Sequence, residues 1–125
     1  MERDSGVLQR LAQCPYPFVW QALAANPHTP AGALLKLSTA RDSVWNDNRL
    51  LRLLAEHPAA DPIVLRAVLD AVAAKLEEGE RPYAAVLALA DRLELEVEVV
   101  ARLGTLRGAS ARLRRLLALR LSPRI

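Results

Sequence analysis

Apolar positions along this chain fall in short runs, and three of the runs end on the same phrase, Leu-Ala-x-x-Pro. The copies are Leu11-Ala12-Gln13-Cys14-Pro15, Leu23-Ala24-Ala25-Asn26-Pro27 and Leu54-Ala55-Glu56-His57-Pro58. Each closes an apolar stretch with a proline, which has no amide to donate and cannot continue a helix. A short helix and a stop, written three times, predicts a stack of small helical units, none able to bury its apolar face alone.

The pattern then assigns elements in order. Val7 to Ala12 reads as the end of a first helix, Pro15 and Pro17 break the chain, and Phe18 to Ala25 reads as a second. In the turn Asn26-Pro27-His28-Thr29-Pro30, Thr29 is expected to cap a third helix, Ala31 to Leu37, with Pro30 as its first residue. Asp42 or Ser43 starts a segment whose buried face is Leu50, Leu51, Leu53 and Leu54. Asp61-Pro62 repeats the cap-and-proline grammar and opens the clearest helix. There Leu65, Val68, Leu69, Val72 and Leu76 recur at three- and four-residue steps. Gly79 is placed to stop it in a left-handed conformation.

Beyond Gly79 the signal weakens. Pro82 is expected to open a helix through Leu93. Residues 93–99 alternate Leu, Glu, Leu, Glu, Val, Glu, Val, which by period alone is a strand. No other segment offers a strand partner, so Glu96 to Leu103 is read as a short helix packing Val97, Val100 and Leu103. Gly104 and Gly108 lead to a last helix from Ser110 to Leu121.

Composition agrees with helices. Leu and Ala supply 46 of 125 residues, and both rank high in helix propensity. The expectation is an all-α fold in one domain, residues 1–125, with repeats over 1–76 and divergent helices over 77–125. Cys14 is the sole cysteine, so no intramolecular disulfide forms. The first residues lack a secretory apolar run, and no run approaches the ~20 residues of a membrane span. A cytoplasmic setting without membrane contact is expected.

The stretch Val19-Trp20-Gln21-Ala22-Leu23-Ala24-Ala25-Asn26-Pro27-His28-Thr29-Pro30-Ala31-Gly32-Ala33-Leu34-Leu35-Lys36-Leu37-Ser38 resembles one unit of the leucine-rich repeat variant family. That unit has a Val-x-x-x-Val-Ala-x-Asn-Pro-x-Thr-Pro core followed by Leu-x-x-Leu. A degenerate second unit runs over 50–69, where Ala59-Ala60-Asp61-Pro62 replaces Thr-Pro. The resemblance implies alternating α and 3₁₀ helices in a short right-handed superhelical stack, an α-solenoid-like repeat. Some members carry an iron–sulfur module on clustered cysteines. This chain has no such cluster, so no cofactor is expected.

Charge divides the chain into blocks. Residues 1–76 hold eight basic and seven acidic groups, residues 77–98 hold seven acids and two arginines, and residues 99–125 hold seven arginines and no acid. These arginines are Arg102, Arg107, Arg112, Arg114, Arg115, Arg120 and Arg124. They can neutralise the acidic block, meet an acidic protein partner or contact nucleic-acid phosphate. His28 and His57 read as surface turn residues, since neither has a carboxylate or thiol at metal-ligand spacing. Cys14 has no evident base partner, and Glu94, Glu96 and Glu98 read as a solvated segment. Catalysis and a metal site are not expected.

Trp20 and Trp45 are candidate partner anchors, although scarce aromatics favour packing, and Trp45 falls in what reads as an irregular linker. Leu113, Leu116, Leu117, Leu119 and Leu121 spread around the last helix and predict a homodimer centred there rather than on Val7, Leu8 and Leu11. The expected function is a non-catalytic helical-repeat module that binds a protein partner or itself. The alternative is a nucleic-acid-binding repeat acting through the C-terminal arginines.

Overall fold

Prolines and short polar side chains set the helix boundaries in the structure, a computed structural model that describes residues 2–125. The helices are α1 (Ser5–Leu11), α2 (Pro17–Ala25), α3 (Ala31–Leu37), α4 (Val44–Glu56), α5 (Pro62–Glu77), α6 (Tyr83–Ala90), α7 (Val97–Ala101) and α8 (Ala111–Leu121). Short 3₁₀ helices follow α7 (Arg102–Thr105) and α8 (Ser122–Arg124). There is no strand among the described residues, so the fold is all-α.

Side-chain caps open four of the helices. Asp4 accepts from the amides of Gly6 and Val7, Ser43 from Asn46, Asp61 from Val64 and Ser110 from Leu113. Each carboxylate or hydroxyl satisfies first-turn amides that have no partner within the helix. The Leu-Ala-x-x-Pro phrases do end helices: α1, α2 and α4 stop at Leu11, Ala25 and Glu56. Asn26 and His57, each before a proline, are extended, with ψ of 115° and 132°. Gly79, at φ +86°, ends α5 in the left-handed region where a Cβ is strained.

Two boundaries differ from expectation. Thr29 does not cap α3. Pro30 has ψ 160° and takes the cap position, so α3 starts at Ala31 and Thr29 lies one residue too early to reach the first-turn amides. Thr29 is instead buried, and its hydroxyl donates to the Leu23 carbonyl at 2.7 Å. Helix α6 ends at Ala90 rather than Leu93, which is exposed in the following turn. Arg92 is drawn away from the helix there to donate to carbonyls at the end of α4.

Packing arranges the helices in two rows. α2, α4, α6 and α8 lie side by side in sequence, and α1, α3 and α5 pack consecutively in the other row. One contiguous apolar cluster runs between them, from Leu8 through Leu34, Leu54, Leu65 and Leu89 to Leu121. At this burial a Leu→Ala change costs about 2–5 kcal/mol.

A polar ladder joins successive even-numbered helices at their C-terminal ends. Asn26 Nδ2 donates to the Glu2 carbonyl (2.8 Å) and His57 Nε2 to the Asn26 carbonyl (2.8 Å). Arg92 then donates to the His57 carbonyl (2.8 Å) and Arg124 to the Ala90 carbonyl (3.0 Å). The last three rungs span 31, 35 and 34 residues, close to one helix pair each. Because carbonyls at a helix end lack intrahelical donors, the last three rungs also satisfy the ends of α2, α4 and α6, whereas the first reaches the segment ahead of α1.

Candidate functional site

The side chains of α4 divide by angle around its axis. At about 100° per residue, Trp45, Arg49, Arg52 and Glu56 share a stripe opposite Leu50, Leu51 and Leu54. The leucines are buried in the core, while Trp45 is 77% exposed. That stripe forms one wall of a groove whose other wall is α6. A cavity of about 370 Å³ lies between the N-terminal turns, lined by Trp45, Asn48, Arg49, Arg52, Arg81 and Tyr83 among others. A second, of about 520 Å³, lies between the C-terminal turns, with Glu56, Ala84, Leu87, Ala88, Asp91 and Arg120 on its walls. Since N-terminal turns meet at one end and C-terminal turns at the other, α4 and α6 run side by side in the same direction.

Fixed neighbours hold the groove in shape. Tyr83 donates its hydroxyl proton to the Gly108 carbonyl at 2.8 Å, tying the start of α6 to the approach to α8. Arg92 reaches the carbonyls of Ala55 (3.0 Å), His57 (2.8 Å) and Ala60 (3.0 Å), tying the far end to α4. Its guanidinium also meets Glu94 at 2.7 Å, and hydrogen bonding from Arg92 holds that carboxyl below its ordinary range. Behind α4, buried Lys75 meets Glu80 at 2.9 Å and Asp47 at 3.8 Å. Hydrogen bonding from Lys75 holds the Glu80 carboxyl below its ordinary range as well, against the desolvation that raises it.

Several expectations change at this level. Trp45 is neither in a linker nor packed: it sits in the first turn of α4 with its ring in solvent. Its exposure was readable from the sequence, because it lies about 180° from Leu54 once the helix starts at Ser43. Trp20 is half-buried and its indole donates to the Cys14 carbonyl at 2.6 Å, which uses its polar edge internally. His28 is exposed, but His57 is 3% exposed rather than a surface residue. The His57 Nδ1 accepts from Ala59 at 3.0 Å, so its Nε2 carries the proton given to the Asn26 carbonyl. Both ring nitrogens serve the fold.

The C-terminal arginines do not act as one group. Arg120 meets Asp91 at 2.6 Å, Arg114 donates to the Ala109 carbonyl at 3.1 Å, and Arg124 donates to the carbonyls of Ala90 and Leu95. Arg102, Arg107, Arg112 and Arg115 are exposed, with no carboxylate within 4.0 Å among the described residues. Among the described residues only Arg120 of this group forms an ion pair with the acidic block. Arg49 and Arg81, which the charge blocks did not single out, also have no carboxylate within 4.0 Å among the described residues, and both line the groove.

The last helix is less apolar outside than its leucines suggested. Leu113, Leu117 and Leu121 enter the core, Leu116 is half-buried, and Leu119 alone is exposed, at 66%. At the other end Leu11, Tyr16 and Phe18 are in solvent and the Tyr16 and Phe18 rings stack at 5.9 Å. Among the described residues no group of three or more His, Cys, Asp or Glu could hold a metal, and no helix is long and apolar enough to cross a membrane. Comparison with protein-family models, curated proteins and solved structures gives no match.

Proposed function

We propose that the chain is a non-catalytic helical-repeat module that binds a protein partner in the groove between α4 and α6. The observation that carries this reading is Trp45, a large apolar ring held on a rigid helix with 77% of its surface in solvent, at the mouth of a cavity of about 370 Å³. Burying such a ring against a partner removes much apolar surface from water at a cost of only two side-chain torsions, which is why tryptophan anchors interfaces so often. The alternating helix rows and the ladder rungs 31, 35 and 34 residues long support a superhelical repeat of the leucine-rich repeat variant kind. A photo-crosslinking residue in place of the exposed Ala84 on the groove wall, expressed in the native host, should capture a discrete protein that the same residue at the outward Arg66 position does not. Equal capture at both positions, or none at 84, rejects the reading.

A second reading rests on Arg102, Arg107, Arg112 and Arg115, which lack carboxylate partners among the described residues. Four such cations suit the phosphates of a nucleic-acid duplex. Retention on duplex DNA at low salt that disappears at moderate salt, and that Arg112→Ala/Arg115→Ala weakens, supports it. Failure to bind at low salt rejects it.

A further inference from the structure

The α4–α6 groove, taken as the partner site proposed above, is not electrically uniform. Its Trp45 end is lined by Arg49, Arg52 and Arg81 and by no carboxylate. Its far end is lined by Glu56, Asp91, Arg92 and Arg120, two of each sign. The acids there are already engaged, Glu56 by Arg52 at 2.8 Å and Asp91 by Arg120 at 2.6 Å. Arg49 and Arg81 are thus left exposed beside Trp45 with no carboxylate partner among the described residues, while Ala84, Leu87 and Ala88 floor a neutral, self-paired half.

We propose that the occupant of this groove is an acidic peptide segment of a partner protein, with its carboxylates at the Trp45 end and apolar side chains over Ala84, Leu87 and Ala88. The polarity argues for a peptide over nucleic acid, because phosphates need cations along a whole track and half of this groove offers none to spare. Length agrees: Trp45 to Glu56 spans roughly 16 Å at the helical rise, enough for about five residues of extended chain. Arginine is suited to the task, since its planar fork takes a carboxylate through two parallel bonds and stacks on an aromatic face.

Phage display of random 12-residue peptides against the immobilised wild type, Trp45→Ala and Arg49→Glu/Arg81→Glu tests this. All three altered side chains are exposed, and circular dichroism checks that the fold persists. The wild type should enrich sequences richer in Asp and Glu than the input. The strongest, made synthetically with a fluorescent label, should bind Arg49→Glu/Arg81→Glu at least about tenfold more weakly, and binding should fall as salt rises. An enriched pool that is neutral or basic, or an affinity unmoved by the double reversal, overturns the acidic-peptide assignment; if Trp45→Ala still abolishes binding, the groove reading survives. Binding unmoved by Trp45→Ala overturns the groove itself, and a wild type that enriches nothing overturns both.

Discussion

Removing the Arg92 guanidinium should cost more than its surface charge suggests. The side chain is only 16% exposed and donates to three carbonyls, those of Ala55, His57 and Ala60, at 2.8–3.0 Å. Hydrogen bonds from a charged donor contribute about 1.5–3 kcal/mol each in isolation, but three from one group are not additive. Water reaches part of the space once the side chain is gone, so Arg92→Met should cost about 2–4 kcal/mol. Against a total stability of about 5–15 kcal/mol that is a large fraction, visible as a melting shift of roughly 10 °C. Arg66→Met is the control: its pairing with Asp70 is at 3.5 Å with both side chains mostly exposed, and it should cost no more than ~0.5 kcal/mol. Urea denaturation followed by circular dichroism measures both. Equal midpoints for the two variants would refute the ladder as a structural device, because the carbonyls that only Arg92 reaches would then contribute nothing.

Other expectations follow from single contacts. Asp61→Ala should cost about 0.5–2 kcal/mol through the lost cap, whereas Thr29→Ser should be near neutral and Thr29→Val should cost about 1 kcal/mol, because the Thr29 hydroxyl serves the Leu23 carbonyl and not a helix start; thermal melts of the three separate these roles. Glu80 has its pKa lowered by the Lys75 hydrogen bond, so the unfolded chain binds its proton first on acidification. Its contribution is present above the ordinary carboxylate range and is lost as pH falls through the lowered value, so wild-type stability should drop more steeply than that of Glu80→Gln as pH falls through and below the ordinary carboxylate range. Gly108→Ala should be strongly destabilising, since an added Cβ would lie 2.5 Å from the Leu76 carbonyl oxygen and 2.8 Å from that of Glu80, both backbone; a melting point like the wild type's counts against this packing. Self-association should centre on the α1–α2 end, so light scattering should give a mass above 13.7 kDa that Phe18→Glu returns to 13.7 kDa and Leu119→Glu does not; reversal of that order would return the interface to α8.

The helices were legible in the sequence because prolines and caps are local signals: Asp61-Pro62, Ser110 and Gly79 act in the structure as their types predict. Thr29-Pro30 shows the limit, since the same cap-and-proline grammar gives a different result when the proline itself stays extended. The alternating 93–99 stretch became a turn and a short helix because no strand lies beside it among the described residues. His57 and Arg92 were illegible, as their partners stand 31 and 35 residues away and no local pattern marks them. The groove was partly legible: the wheel of α4 places Trp45 opposite its leucines, but that α6 would supply a facing wall with Arg81 depended on the packing of the even-numbered row.

The most direct measurement reports on Trp45 itself. In a Trp20→Phe background Trp45 is the sole tryptophan, and its emission in the free protein should be red-shifted and readily quenched by acrylamide, as 77% exposure demands. On saturation with a bound partner peptide, confirmed independently by anisotropy of the labelled peptide, the emission should shift to the blue and the quenching should fall. Unchanged emission and quenching at saturation would mean that the partner binds elsewhere, and that the α4–α6 groove is not the interaction site.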